Sequence, residues 1–237
     1  MLGIVNRALR TRHGLSSFVF RNQKWIRFGG VKSVALLVIA KEPLPGRAKT
    51  RLTPPCSLVQ AAELARASLL DTLDVVTRTP AARKVLVFEG DARRWRREGF
   101  EVMPQRGGAL GERLAAAFDD VQSPALLVGM DTPQLTPRLL LDGMRALAEA
   151  DVNAVLGPAY DGGYWSVGFN GPVPGAFSDV PMSCESTLTR QRARLGELGL
   201  RVHDQPMLRD VDTIEDAHSV ASAAPHTRFA RALAGIR

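Results

Sequence analysis

Val34-Ala-Leu-Leu-Val-Ile-Ala40 runs straight into Lys41-Glu-Pro-Leu-Pro-Gly-Arg-Ala-Lys-Thr-Arg-Leu52, and this junction decides the fold. An unbroken apolar run of this length reads as a strand buried on both faces of a parallel sheet. It is far short of the roughly 20 residues that a membrane span needs. The cationic loop stands at the carboxyl end of that strand, which is where open α/β sheets take their ligands. Beyond the loop, residues 58–78 carry apolar side chains at helical spacing, with Ser57 as N-cap and Pro80 as stop. Strands are expected at Lys84–Phe88, Ala125–Gly129, Val152–Leu156, Tyr164–Phe169 and near Leu200–His203. Helices are expected over 110–121, after Thr136-Pro137, at about 184–198, and after a capping box of Thr213 and Asp216. The alternation predicts an α/β protein: a three-layer αβα sandwich with a mainly parallel, Rossmann-like sheet, one domain over residues 33–237.

Charge separates that domain from what precedes it. The chain has 237 residues and a formal net charge of +7. Residues 1–32 hold seven basic side chains and no acid, leaving 24 basic residues against 24 acids in the remainder. The basicity therefore belongs to the arm, which is expected to be a flexible N-terminal extension, and no nucleic-acid partner is inferred from it. The arm resembles an organelle-targeting segment in composition but lacks the compact apolar stretch of a secretory signal. Cys56 and Cys184 stand far apart without metal spacing, which fits a reducing, cytoplasmic setting. No run is long enough for a membrane span. The histidines form no ligand cluster, and no Ser/His/Asp order suggests a hydrolase.

Five segments carry candidate chemistry. In the first loop, Lys41, Arg47, Lys49 and Arg51 bring four positive charges to one strand end, and Gly46 permits a tight turn. Such a loop suits a polyphosphate, although it is not a Walker A loop. Gly129-Met-Asp131-Thr-Pro133 puts a carboxylate just past a buried strand, where it is placed to hold a divalent cation; a turn-closing Asp reads equally well. Asp161-Gly-Gly163 is a tight-turn signal flanked by Tyr160, Tyr164 and Trp165. Asp210-Val-Asp212 offers two carboxylates pointing the same way before a helix start, as metal ligands or as helix-start acids. Gln105-Arg106-Gly-Gly followed by Arg113 on the next helix gives a weaker segment for a base or ribose.

In this order, these segments resemble a bacterial glycosyltransferase-like family once known only as a domain of unknown function. That group is associated with arsenosugar biosynthesis and radical-SAM proteins. The likeness runs over roughly residues 33–222. It implies the nucleotide-diphospho-sugar transferase fold called GT-A, and kinship with molybdenum-cofactor and 2-phospholactate guanylyltransferases. The resemblance places Lys41, Gly46, Arg47, Lys49 and Arg51 at the nucleotide phosphates. Asp131 takes the place of the metal-binding acid and Asp212 that of the second, so Mg²⁺ or Mn²⁺ is the implied cofactor. By the same resemblance Asp161 and the Gly162-Gly163 pair would border the acceptor or the sugar. Asp131-Thr-Pro133 lacks the second Asp of the usual glycosyltransferase Asp-x-Asp, and Pro181-Met-Ser-Cys184 stands where relatives tend to carry a Trp-Ser-Thr-like segment.

The expected activity is a metal-dependent glycosyltransferase using a nucleotide sugar and a small-molecule acceptor. Lys49 and Arg51 would hold phosphates, and Asp161 would position or deprotonate the acceptor hydroxyl. Lys49 and Asp161 are thus the candidate catalytic residues, with Arg106 and Arg113 as further nucleotide contacts. A nucleotidyltransferase taking an NTP and releasing pyrophosphate is the alternative, and a silent nucleotide-binding protein the third.

Overall fold

A computed structural model describes residues 33–236; the basic arm of residues 1–32 lies outside them. Strand β1 (Ala35–Lys41) lies inside the sheet, with a strand on either side. It is followed by α1 (Leu58–Arg78), β2 (Lys84–Glu89), β3 (Glu101–Pro104), α2 (Leu110–Val121), β4 (Ala125–Val128) and α3 (Pro137–Ala148). Then come β5 (Ala154–Pro158), β6 (Tyr164–Phe169), α4 (Thr187–Glu197), β7 (Val202–Asp204), α5 (Ile214–Ala223) and α6 (Arg228–Ala234). The seven strands form one sheet in the order β3-β2-β1-β4-β6-β5-β7. All run parallel except β6, which is antiparallel to both β4 and β5.

Burial on both faces explains the unbroken apolar strand. Leu36, Val38 and Ala40 of β1 pack with α1 and α3 on one side. Ala35 and Leu37 pack on the other side with α2 and with Leu195 of α4. The result is the expected αβα sandwich. A third apolar cluster joins the outer side of α1 (Ala61, Leu64) to Ala217 and Val220 of α5 and Phe229 and Leu233 of α6. Among the described residues no helix is long and apolar enough to cross a membrane.

The elements match the sequence pattern closely, down to the Ser57–Gln60 and Thr213–Asp216 capping boxes. Three differences have local causes. Helix α4 starts at Thr187 rather than near 184, because Cys184–Ser186 runs as a loop past the β5–β6 turn, where Leu188 N–H donates to the Gly162 carbonyl (2.8 Å). Strand β5 lies two residues further on than expected, since Val152 N–H is drawn back to Glu149 O and Asn153 N–H to Arg201 O. The sequence pattern announces neither edge strand β3 nor the short α6, because neither presents a long apolar period.

Candidate active site

After β1 the chain builds β2 and β3 to one side, then crosses to β4 on the other. The carboxyl ends of β1 and β4 therefore flank a topological switch point, the usual ligand crevice of such sheets. Three of the sequence-predicted segments meet there.

The loop after β1 is folded back on itself. Arg47 N–H and Ala48 N–H both donate to Leu44 O, at 3.0 and 3.2 Å. Gly46 (φ 75°) and Lys49 (φ 52°) take the left-handed region, and a single 3-10 turn, Thr50–Leu52, leads to α1. Ala48 and Leu52 are buried and anchor the loop on either side of Lys49. The Lys49 side chain is thereby directed inward and is only 6% exposed. Its ammonium lies 2.6 Å from Asp131 Oδ1 and 3.7 Å from Asp212 Oδ1, and donates to the Val211 carbonyl. Arg51, largely exposed, reaches Asp212 Oδ2 at 3.1 Å.

Both acids are held by backbone. Past β4, Gly129 N–H donates to Trp165 O (3.2 Å) and Ser68 Oγ to Met130 O (2.6 Å). Asp131 O accepts from Val211 N–H at 3.0 Å, which ties the β4 end to the Asp210–Asp212 segment. Gln134 Nε2 fixes the same segment by donating to Arg209 O (2.7 Å), and Val211 is fully buried. The outcome is an open cleft of about 160 Å³ whose lining includes Lys41, Lys49, Thr50, Arg51, Asp131 and Asp212.

Asp210 is the residue whose weight the motif did not reveal. Its Oδ1 is sealed from solvent without a hydrogen-bond partner. Burial, then the nearby Asp131 carboxylate, pushes its carboxyl up to about 8; Lys49 opposes this, and Asp161 and Asp212 add to it. The i, i+2 spacing of Asp210 and Asp212 was visible in the sequence, but not that one would have a carboxylate oxygen sealed from solvent while the other kept a side chain 38% exposed. Asp161 is close enough for its charge to be felt at Asp210. Its Oδ1 accepts from Gly163 N–H (2.8 Å), so it also closes the β5–β6 turn.

The remaining predicted residues are placed differently. Lys41 lines the cleft, and Gly46 makes the turn behind it. Arg47 is exposed and does not line the cleft. Arg113 stands near the β2 end, paired with Glu89 (2.5 Å) and donating to Gly108 O (3.0 Å). Arg106 is turned away: its guanidinium pairs with Asp120 on α2. Among the described residues, no three His, Cys, Asp or Glu side chains converge as a ready metal site. The Asp131–Asp212 pair offers two carboxylates around a cation already in place, and Asp210, whose Oδ1 is unpartnered, lies within reach of their charge. That donor set fits Mg²⁺ or Mn²⁺, which complete their shells with substrate phosphate oxygens and water.

A family model described as "Uncharacterized protein conserved in bacteria (DUF2064)" matches residues 72–184. No curated protein matches the chain. Among solved structures, a candidate nucleotide-diphospho-sugar transferase from Desulfovibrio desulfuricans G20 is similar, at 28% identity and TM-score 0.75, over 85% of this chain and 92% of that one. Rv0371c from Mycobacterium tuberculosis H37Rv is similar at 18% identity and TM-score 0.51, over 81% of this chain and 99% of that one, and has also been solved with manganese. A 4-diphosphocytidyl-2C-methyl-D-erythritol synthase from Anaerococcus prevotii DSM 20548 shows 11% identity and TM-score 0.51, over 82% and 96% of the two chains. The last two are likenesses of fold. The chain thus has the mixed, mainly parallel αβα fold of nucleotide-diphospho-sugar transferases.

Proposed function

We propose that the protein is a metal-dependent transferase that takes a nucleotide-activated sugar as donor and passes the sugar to a small-molecule acceptor. One observation carries this reading. At the switch point of the sheet, the Lys49 ammonium is held between Asp131 and Asp212, in a cleft that Lys41 and Arg51 also line. A concave site with several cations and a pair of carboxylates suits a diphosphate bridged to a divalent ion. The Desulfovibrio likeness supports a nucleotide-utilising transferase, and the manganese-bound Rv0371c supports the metal.

In this reading, Asp131 and Asp212 hold Mg²⁺ or Mn²⁺. When bound, that ion supplies charge neutralisation for the departing nucleoside diphosphate. Lys41, Lys49 and Arg51 bind and orient the phosphates. Asp161, at the β5–β6 turn, orients the acceptor hydroxyl or takes its proton. The narrower likeness to arsenosugar-associated transferases rests on the motif order alone.

Nucleotidyl transfer is the second reading. Among the described residues Lys41, which lines the cleft, carries no ion pair, so the site holds a cation beyond those facing the carboxylates. A triphosphate's departing pyrophosphate would use it, in line with the resemblance to guanylyltransferases. A thermal-shift screen of nucleotides and nucleotide sugars, with and without Mg²⁺ or Mn²⁺, tests the common part. Stabilisation of about 3 kcal/mol is expected at a hundredfold excess over Kd. A pyrophosphate assay with NTPs separates the two readings, since only nucleotidyl transfer releases it. No stabilisation by any nucleotide would overturn both.

A further inference from the structure

We infer that Lys49 is the resident cation between Asp131 and Asp212, and that a divalent metal gains these acids only after a nucleotide's phosphates have drawn the ammonium off. The inference rests on the reading of the cleft as a nucleotide site and adds an order of binding to it.

The contacts of Lys49 are those of an ion in a cage rather than of a side chain waiting for a ligand. Its ammonium touches a carboxylate of the β4 end, a carbonyl of the Val211 segment and, more loosely, a second carboxylate. Only 6% of the side chain is exposed. A metal ion bound to Asp131 Oδ1 would need the space that the ammonium holds 2.6 Å from that atom. Two cations at such separation repel strongly inside a cleft, so occupancy is exclusive. Arg51 cannot take over the role, since among the described residues it pairs only with Asp212 and is 72% exposed.

The backbone shows how the exchange is possible. Ala48 and Leu52 are buried on either side, so the left-handed Lys49 stays in place while its flexible stem swings. The phosphates would arrive at Lys41, Thr50 and Arg51, in the same cleft. The ammonium can then leave the acids without losing an anionic partner. Metal and nucleotide must consequently bind with positive coupling. A protein of this design does not collect free metal.

The test is a calorimetric or EPR titration of Mn²⁺ alone, without nucleotide, into the full chain and its Lys49→Gln and Lys49→Arg variants. Lys49→Gln should bind Mn²⁺ about tenfold or more tightly than the wild type, because uncompensated carboxylates remain. Lys49→Arg, which keeps the charge, should remain weak. A Lys49→Gln protein that binds Mn²⁺ no better than wild type overturns the inference. If circular dichroism shows that Lys49→Gln does not fold, the wild type decides: UDP or GDP in EDTA should raise its melting temperature, and Mn²⁺ alone should not. The reverse pattern overturns the inference. Absence of binding by any nucleotide in any form would instead sink the functional reading, and the Mn²⁺ titration of Lys49→Gln would still decide whether the ammonium keeps metal out.

Discussion

Lys49 joins a backbone angle that non-glycine residues seldom adopt (φ 52°) to a buried charge with two carboxylate neighbours. Both features concern one role, so single changes here should separate binding functions cleanly. Lys49→Glu should weaken nucleoside diphosphates and triphosphates at least about tenfold, a charge-assisted contact being worth about 1.5–3 kcal/mol, while nucleosides change little. Equal losses measured for nucleosides and diphosphates would make the loop purely structural. Asp131→Ala should remove the metal dependence of nucleotide binding in a titration with and without Mn²⁺; unchanged dependence would take Asp131 out of the site. The sequence showed these residue types and their position past a strand end. It could not show that Lys49 and Asp131 pair far along the chain from one another, or that Arg106 would be claimed by Asp120, because each depends on how helices and strands are set against one another.

At the scale of elements, the frame behind the cleft depends on α1, whose outer side holds α6 through one acidic pair. Asp71 accepts the backbone N–H groups of Arg228 and Phe229 at 3.0 and 2.9 Å, capping α6 from outside. Asp74 pairs with Arg97 and Arg228. Burial raises the Asp74 carboxyl, but hydrogen bonds and charge from Arg228 and Arg97 outweigh it and leave the value lowered from 3.8. A carboxylate lowered in the folded state contributes its stability above its ordinary value and loses it as pH falls through the lowered one. Asp74→Asn should therefore cost about 1–2 kcal/mol at neutral pH, and the deficit in urea melts should shrink once pH drops below 3.8. A second element-level test is Gly162→Ala. The backbone there is at φ 84°, and a Cβ would run into the Glu185 carbonyl oxygen. The change should cost about 2–3 kcal/mol and loosen the segment before α4, read as a lower denaturation midpoint. Helices α1 and α3 were legible from apolar period and caps together, and α2 from its apolar period alone. Strand β3 was not, since Glu101-Val-Met-Pro104 is a partly exposed edge with no alternation to read.

For the whole molecule, charge is divided as sharply as structure. With residues 1–32 removed, the formal charge drops from +7 to zero, and isoelectric focusing should move from a sequence pI near 10.1 towards neutrality. Nucleotide affinity should be the same with and without those residues, since every residue assigned to the cleft lies beyond them; a large loss would bring the arm into the site. The fold class was legible throughout because alternating strands and helices leave few topologies. The direction of β6 was hidden, although Asp161-Gly-Gly163 announced a reversal. That reversed strand has an evolutionary corollary. A parallel neighbour is reached only by a long crossover, whereas β5 and β6 are joined by a turn closed on itself by Ala159 N–H to Gly163 O. Because Gly162 O also accepts from Leu188 N–H, the start of α4 is moored to this turn, so a change in its length would be felt in that segment while the donor-side loop after β1 could be inherited intact.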